Sequence, residues 1–317
     1  YLPLVTACLS HRDRLKLSDW GYVLFTERLT SAFFPPSQLN EARLMQMYLL
    51  VHSGYKARLA RRGNRLVVLL PSEQTVYEYR YLVIDGEKFY LFDKSPASGP
   101  ISVYNRKFPN EQAFSLLFNT LPNLPLKETE PRHFQSGHDK DVSVDVAVNR
   151  NLIDFFNDYP LSSAMEIYPM ASLSALAKNQ LYPALKTSIA GKARATAANM
   201  LLHFVQTALE YATDNEQFGI ERPLFGDETL FYPYCDCEDR AILFSILVRE
   251  LLGLDAVLLH YPGHLATGVC FETDVSGDYV SLDGKRYLVC DPTFIHADIG
   301  QSMPEFKQTA AEIIRIR

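Results

Sequence analysis

Residues 232–253 read YPYCDCEDRAILFSILVRELLG, and this stretch decides the fold. A polar, proline-containing loop delivers Cys235 and Cys237 to the start of a helix. Residues 241–252 are apolar nearly all round, which predicts a helix buried against a sheet rather than one lying on a surface. Gly253 sits where a helix of this kind stops. Beyond it come a strand-like LDAVLLH, a turn at Pro262-Gly263, and the strand HLATGVCF from His264 to Phe271. The hairpin signal Asp283-Gly284 then introduces KRYLVC and Asp291.

The same order occurs upstream. Met45–Ser53 is a helix candidate, Gly54 its stop, and KARLA a strand. A hairpin follows at Arg62-Gly63-Asn64, then RLVVLLP from Arg65 to Pro71, the pair Asp85-Gly86, EKFYLF and Asp93. Gly54 to Asp85 spans 31 residues and Gly253 to Asp283 spans 30; both Asp-to-Asp intervals that follow are 8. Matching order and spacing point to an internal duplication, although short hairpins also resemble one another without common ancestry. Between the copies, residues 94–140 carry six prolines and read as loop, with a short helix at Glu111–Asn119. Residues 142–148 alternate as a strand, 162–177 form a helix, and Gly191–Asp214 a longer one. The expected fold is α+β: a buried helix against an antiparallel sheet, present twice. The expected division is 1–130, a connecting segment 131–180, and 181–317.

The chain has 317 residues, with 47% hydrophobic and 21% charged, which excludes a disordered or collagen-like protein. Its net charge of −6 offers no footprint for nucleic acid, and no apolar run is long enough to cross a membrane. Five cysteines are too few for a disulfide scaffold. The sequence begins at Tyr1 rather than Met, so removal of a signal peptide, with a periplasmic or cell-surface location, stays open.

Chemistry concentrates around Cys237. Backbone N–H groups at a helix start have no intrahelical partner, and with the helix dipole they favour a thiolate. Glu238 and Asp239 oppose this as like charges, so Cys237 needs a further activator. His264 opens the next strand, and alternation places it with Ala266, Gly268 and Cys270, small side chains that suit a site against the helix N-terminus. Asp291 ends the adjacent strand, within reach of the second imidazole nitrogen, where a carboxylate fixes the tautomer. The competitors are His260 for the base and Asp283 for the acid. Cys235 reads first as a bystander, and Cys270 and Cys290 as core residues. A zinc set of Cys235, Cys237, His260 and His264 has suitable ligand types but the wrong cysteine spacing. Tyr232, Tyr234 and Gln206 are candidate second oxyanion donors. Arg240 and Arg249 read as structural. Phe225, Phe231, Tyr232, Tyr234 and Tyr261 line either a substrate groove or a packed lid.

Cys-Glu-Asp-Arg-Ala, the apolar helix ending at Gly253, His264 in PGHLATGV and Asp291-Pro292-Thr293 together resemble the transglutaminase-like superfamily of thiol enzymes, over about residues 190–300. The nearest in appearance are uncharacterised bacterial members with an N-terminal extension. The resemblance implies a cysteine-protease-like core with Cys237 as nucleophile, His264 as base and Asp291 as orienting acid. It implies a peptide or protein substrate and no cofactor or metal. The family commonly carries Trp just after the histidine; here Leu265 and Ala266 follow, and the single Trp is Trp20. Counting back 16 residues from Gly54, as from Gly253 to Cys237, gives Gln38; the histidine position falls at Asn64 or Arg65, and the aspartate position at Asp93. That set has no nucleophile, so the first copy is expected to be degenerate. The expected function is amide or peptide hydrolysis through an acyl-enzyme. The alternatives are amine transfer and a non-enzymatic binding protein with a vestigial site.

Overall fold

The computed structural model describes residues 2–92, 99–118 and 120–316. It is a mixed α+β structure with two five-stranded antiparallel sheets. The chain divides into two compact units, Tyr1–Leu124 with Tyr159–Ala164, and Pro125–Asp158 with Met165–Arg317.

The first unit opens with helices α1 (Leu2–Arg14), α2 (Asp19–Phe33) and α3 (Leu39–His52). Its strands are β1 (Arg58–Arg62), β2 (Arg65–Pro71), β3 (Tyr81–Ile84), β4 (Glu87–Leu91) and β5 (Ile101–Tyr104), in the spatial order β3-β4-β2-β1-β5. Ala60, Val67, Leu69, Phe89 and Leu91 form the core of one sheet face.

The second unit begins with the hairpin β6 (Arg132–Gln135) and β7 (Ser143–Val146). Helices α4 (Arg150–Asn157), α5 (Ile167–Met170), α6 (Ala175–Ile189) and α7 (Arg194–Ala208) follow. Then come β8 (Glu210–Tyr211), α8 (Asp214–Gln217), α9 (Gly226–Phe231), β9 (Tyr234–Cys235) and α10 (Cys237–Leu247). The sheet strands are β10 (Asp255–Tyr261), β11 (His264–Cys270), β12 (Tyr279–Leu282), β13 (Lys285–Cys290) and β14 (Glu312–Arg315), in the order β12-β13-β11-β10-β14.

Each sheet therefore has its third strand at one edge, its fifth at the other, and its first two strands as a hairpin inside. The Asp-Gly turns are equivalent too. Asp85 and Gly86 have φ of 52° and 86°, Asp283 and Gly284 φ of 52° and 76°. Two successive positive φ values match a two-residue turn to the strand twist, and Asp and Gly tolerate them.

Helix α10 is why the second sheet forms where it does. Every residue from Asp239 to Leu247 is buried, so the helix has no face to turn to water. Ala241 packs on Leu258 and Leu265, and Thr267 Oγ1 donates to the Ala241 carbonyl at 3.1 Å. After Leu247 the helix widens into a π turn and stops at Gly253, whose φ is 65°. The opposite face of the sheet carries a second cluster: Val257, Leu259, Tyr261, Ala266, Tyr287 and Val289.

Several sequence expectations are corrected. Residues 162–177 are not one helix: only Ile167–Met170 is helical before Ser174 caps α6 by accepting the Ala177 N–H. A serine that caps a helix competes with helix continuation through it. Glu111–Phe118 is not helical. Gln112 and Phe114 pair with Tyr55 and Ser72 in isolated bridges, and Glu111 grips the Arg58 guanidinium with both oxygens, at 2.7 and 2.5 Å. Helix α7 is shorter than Gly191–Asp214, because Gly191 is left-handed (φ 70°) and Glu210–Tyr211 pairs with β9 instead. The segment 131–180 is shared between the two units. Asn119 and the first-copy position Asp93 lie outside the described residues.

Gly268 tests the β11 packing. A Cβ there would meet Val257 Cγ2 at 2.9 Å and Tyr287 Cβ at 3.1 Å, both held in the sheet. Gly268→Ala is expected to lower stability by about 1–3 kcal/mol in urea denaturation. An unchanged midpoint would contradict the packing of strands β10, β11 and β13.

Candidate active site

Asp236 is the N-cap of α10. Its side chain accepts the Glu238 N–H at 3.2 Å, while Asp239 Oδ2 accepts the Asp236 N–H at 3.2 Å, forming a reciprocal capping box. Asp239 Oδ1 also takes the Leu224 N–H at 2.7 Å. Cys237 is thus the first helical residue, and its own N–H belongs to the unpaired first turn.

Across the sheet, His264 and Asp291 meet. His264 Nε2 lies 2.8 Å from Asp291 Oδ2, and both residues are buried. Against an ionised carboxylate, which only accepts, Nε2 is the donor of this bond, and among the described residues no hydrogen bond engages Nδ1. Asp291 Oδ1 accepts the Thr293 and Phe294 N–H groups at 2.9 and 3.2 Å, so the carboxylate is aimed by the turn it opens. The imidazole stacks flat on Phe306, with centroids 5.0 Å apart and planes 2° apart; Phe306 in turn stacks on Tyr261. Phe306 comes from a short 3-10 turn more than forty residues along the chain, and no spacing rule pointed to it.

The Cys237 thiol takes a different partner from the one expected. Its sulfur donates to Glu238 Oε2 at 2.9 Å, and among the described residues no hydrogen bond joins Cys237 to His264. The backbone N–H of Leu265, the residue after His264, faces the sulfur. The alternation of β11 groups its residues as expected, but the face turned to the helix is the opposite one. Leu265 and Thr267 point at α10, whereas Ala266 lies in the cluster on the other face, together with the Phe306 that stacks on His264. The apolar body of the helix needs the larger side chains of β11 to pack against, so the small ones face away. It is the strand backbone at Leu265, rather than an alanine-glycine surface, that meets the helix start.

Electrostatics at the sulfur are unfavourable to a thiolate. Burial pushes the Cys237 thiol up, the Glu238 carboxylate adds to this, and the Leu265 N–H offsets part of it. Asp214, Asp236 and Asp239 crowd together behind the cap. Burial, followed by its neighbours' charges, pushes Asp236 up to about 10. Burial raises Asp214 to about 6 and holds Asp239 well above the carboxylate range.

The remaining candidates fall into place. Cys235 is buried, donates weakly to the Glu210 carbonyl at 3.5 Å, and is raised to about 12 by burial. All five cysteines are free. His260 is half exposed beside Glu312, away from His264. Among the described residues, two groups bring possible ligand atoms within 4.8 Å of one another: Asp236 with Cys237 and Glu238, and Asp214 with Asp236 and Asp239. Neither contains Cys235, His260 or His264, so the zinc set weighed from the sequence is not assembled, and the capping bonds already engage the carboxylates. Gln206 is corrected as an oxyanion donor. Its amide donates to the carbonyls of Asp291, Phe294 and Ala297 at 3.1, 2.9 and 3.0 Å, fastening the Asp291 loop to α7. Tyr232 donates to Asn157 at 2.8 Å, and Tyr234 is exposed. Arg240 donates to the carbonyls of Gln206 and Leu209 and Arg249 to that of Pro169. The five aromatics do not form one groove: Phe225 stacks on Phe156, Tyr261 on Phe306. Tyr211, which the sequence did not single out, lies over Arg240 and is raised to about 12 by burial and then by Cys237.

No protein-family model, curated protein or solved structure matches the chain.

The buried acids give a signed pH test. Asp214 is raised by burial to about 6, against about 4 in an unfolded chain. Between these values the folded state holds more protons, so Asp214's contribution is present below about pH 4 and lost as pH rises through about 6. Relative to Asp214→Asn, the wild type should lose urea stability over this interval. A difference independent of pH would contradict the burial assigned to Asp214.

Proposed function

We propose that this protein is a thiol-dependent hydrolase of amide or peptide bonds, with Cys237 as nucleophile, His264 as base and Asp291 as orienting acid. The observation that carries the reading is the buried His264–Asp291 pair on a strand whose next residue, Leu265, turns its backbone N–H toward a cysteine at the first position of a buried helix. The Leu265 N–H facing the sulfur puts the helix start one residue from the base along the strand. In the reaction, the thiol proton passes to His264 Nδ1 as the S–C bond forms and the carbonyl π pair moves to oxygen. The Cys237 N–H is available to that oxyanion. The imidazolium is stabilised by Asp291 and returns its proton to the leaving amine as the C–N bond breaks; water then releases the acyl group from sulfur.

Transfer of the acyl group to an amine uses the same residues, with the amine replacing water. The same strand order in the two sheets supports reading the chain as a duplication with a degenerate first copy. One observation favours the non-enzymatic alternative: the thiol is bound to Glu238 and its pKa is raised.

Cys237→Ala should abolish turnover of an activated thioester or peptide amide, and His264→Ala should reduce kcat/KM by about a hundredfold or more. Electrospray mass spectrometry should trap an acyl adduct on the peptide containing Cys237. Full activity in Cys237→Ala would overturn the assignment; Cys235→Ala serves as the control and should retain activity.

A further inference from the structure

We propose that Glu238 is a latch that holds Cys237 in a resting thiol state, and that a cationic group beside the scissile bond of the substrate releases it. This rests on the hydrolase reading and deepens it by naming a substrate class.

The thiol donates to the Glu238 carboxylate at 2.9 Å, and among the described residues no hydrogen bond joins it to His264. A sulfur that donates to an ionised carboxylate keeps its proton, because an adjacent negative charge opposes formation of the thiolate. Nε2 of His264 is meanwhile held by Asp291, and among the described residues no hydrogen bond engages Nδ1.

The latch can open without disturbing the fold. The Glu238 backbone N–H is held by Asp236 Oδ1, so the helix end is fixed independently of the glutamate side chain. Glu238 is the one residue of α10 that is not buried. Among the described residues no cation is hydrogen-bonded or ion-paired to its carboxylate. Asp236 and Asp239 flank it on the helix, and Asp214 and Glu221 face it from α8 and the loop beyond. Tyr211 lies on β8. Arg222 is paired with Glu228, and the Arg240 guanidinium is bound to carbonyls. His264 and Asp291 are bonded to each other on the sheet.

A positive charge must therefore come from outside. An ammonium or guanidinium that pairs with Glu238 does two things together: it removes the competing acceptor and neutralises the charge that opposes a thiolate. The S–H proton is then free to pass to His264 Nδ1. A substrate with an anionic group at the same place would meet repulsion and leave the latch closed.

The test uses the full-length protein and three methanethiosulfonate reagents, cationic, neutral and anionic, with peptide mapping to follow Cys237 apart from buried Cys235. In the wild type the cationic reagent should react at least about tenfold faster than the anionic one, and rising ionic strength should shrink the difference. Glu238→Gln should bring the two rates within about threefold, speed the neutral reagent, and shift its rate–pH midpoint downward. No charge preference in the wild type, or a preference and midpoint unchanged in Glu238→Gln, would overturn the latch. His264→Ala separates the two readings. A charge preference that persists while His264→Ala leaves every rate and pH profile unaltered keeps the latch and removes the triad.

Discussion

An eleven-residue helix with a single unburied residue can exist only if protein surrounds it, and this requirement organises the second unit. Burial of Ile242, Leu243, Phe244, Ile246 and Leu247 against the neighbouring helices and the sheet leaves α10 little freedom to slide. Its N-terminus is consequently fixed where β11 begins. The polar groups of that helix end must then be satisfied in a buried setting, and the chain does so with the reciprocal Asp236–Asp239 cap and the Leu224 N–H. The thiol of Cys237 inherits its position from these obligations.

The cap carries an electrostatic consequence. Acids suit a helix N-terminus because they complement its dipole and its free N–H groups. Here they are numerous and buried, and they surround the residue that would have to become an anion. The two demands conflict: the carboxylates that secure the helix oppose the thiolate. The Sγ–Oε2 contact with Glu238 is where that conflict is visible. On the sheet side no such conflict exists. Asp291 is aimed by its own turn, its loop is tied down by Gln206, and the imidazole is sandwiched by stacking on Phe306. The imidazole and its carboxylate are thus held on several sides, while the thiol donates to the carboxylate of its own neighbour in the chain.

Much of the architecture was legible in the linear pattern because its signals are local. The Asp-Gly pairs specify turns through φ values that few residues tolerate, Gly253 supplies a left-handed stop, and the alternation of β11 reflects the pleat. Where the reading failed, long-range pairing had replaced local preference. Gln112 and Phe114 bridge to distant backbone, and Ser174 ends one segment by capping another. The face of β11 turned toward α10 was also misjudged, because periodicity groups residues by side without saying which side a helix covers.

For the site, the sequence by itself determined which residue types stand at the element boundaries: a cysteine at a helix start, a histidine opening the strand after a Pro-Gly turn, and an Asp-Pro ending the next. Helix, strand and turn chemistry act over a few residues, so their spacing is enough to place them. The tertiary structure alone decided which atoms touch. It joined His264 to Asp291, brought in Phe306, gave the amide of Gln206 to the Asp291 loop, and turned the thiol of Cys237 toward Glu238. Those choices depend on how an apolar helix and a curved sheet pack in three dimensions, where contacts between residues far apart in the chain compete with those between neighbours.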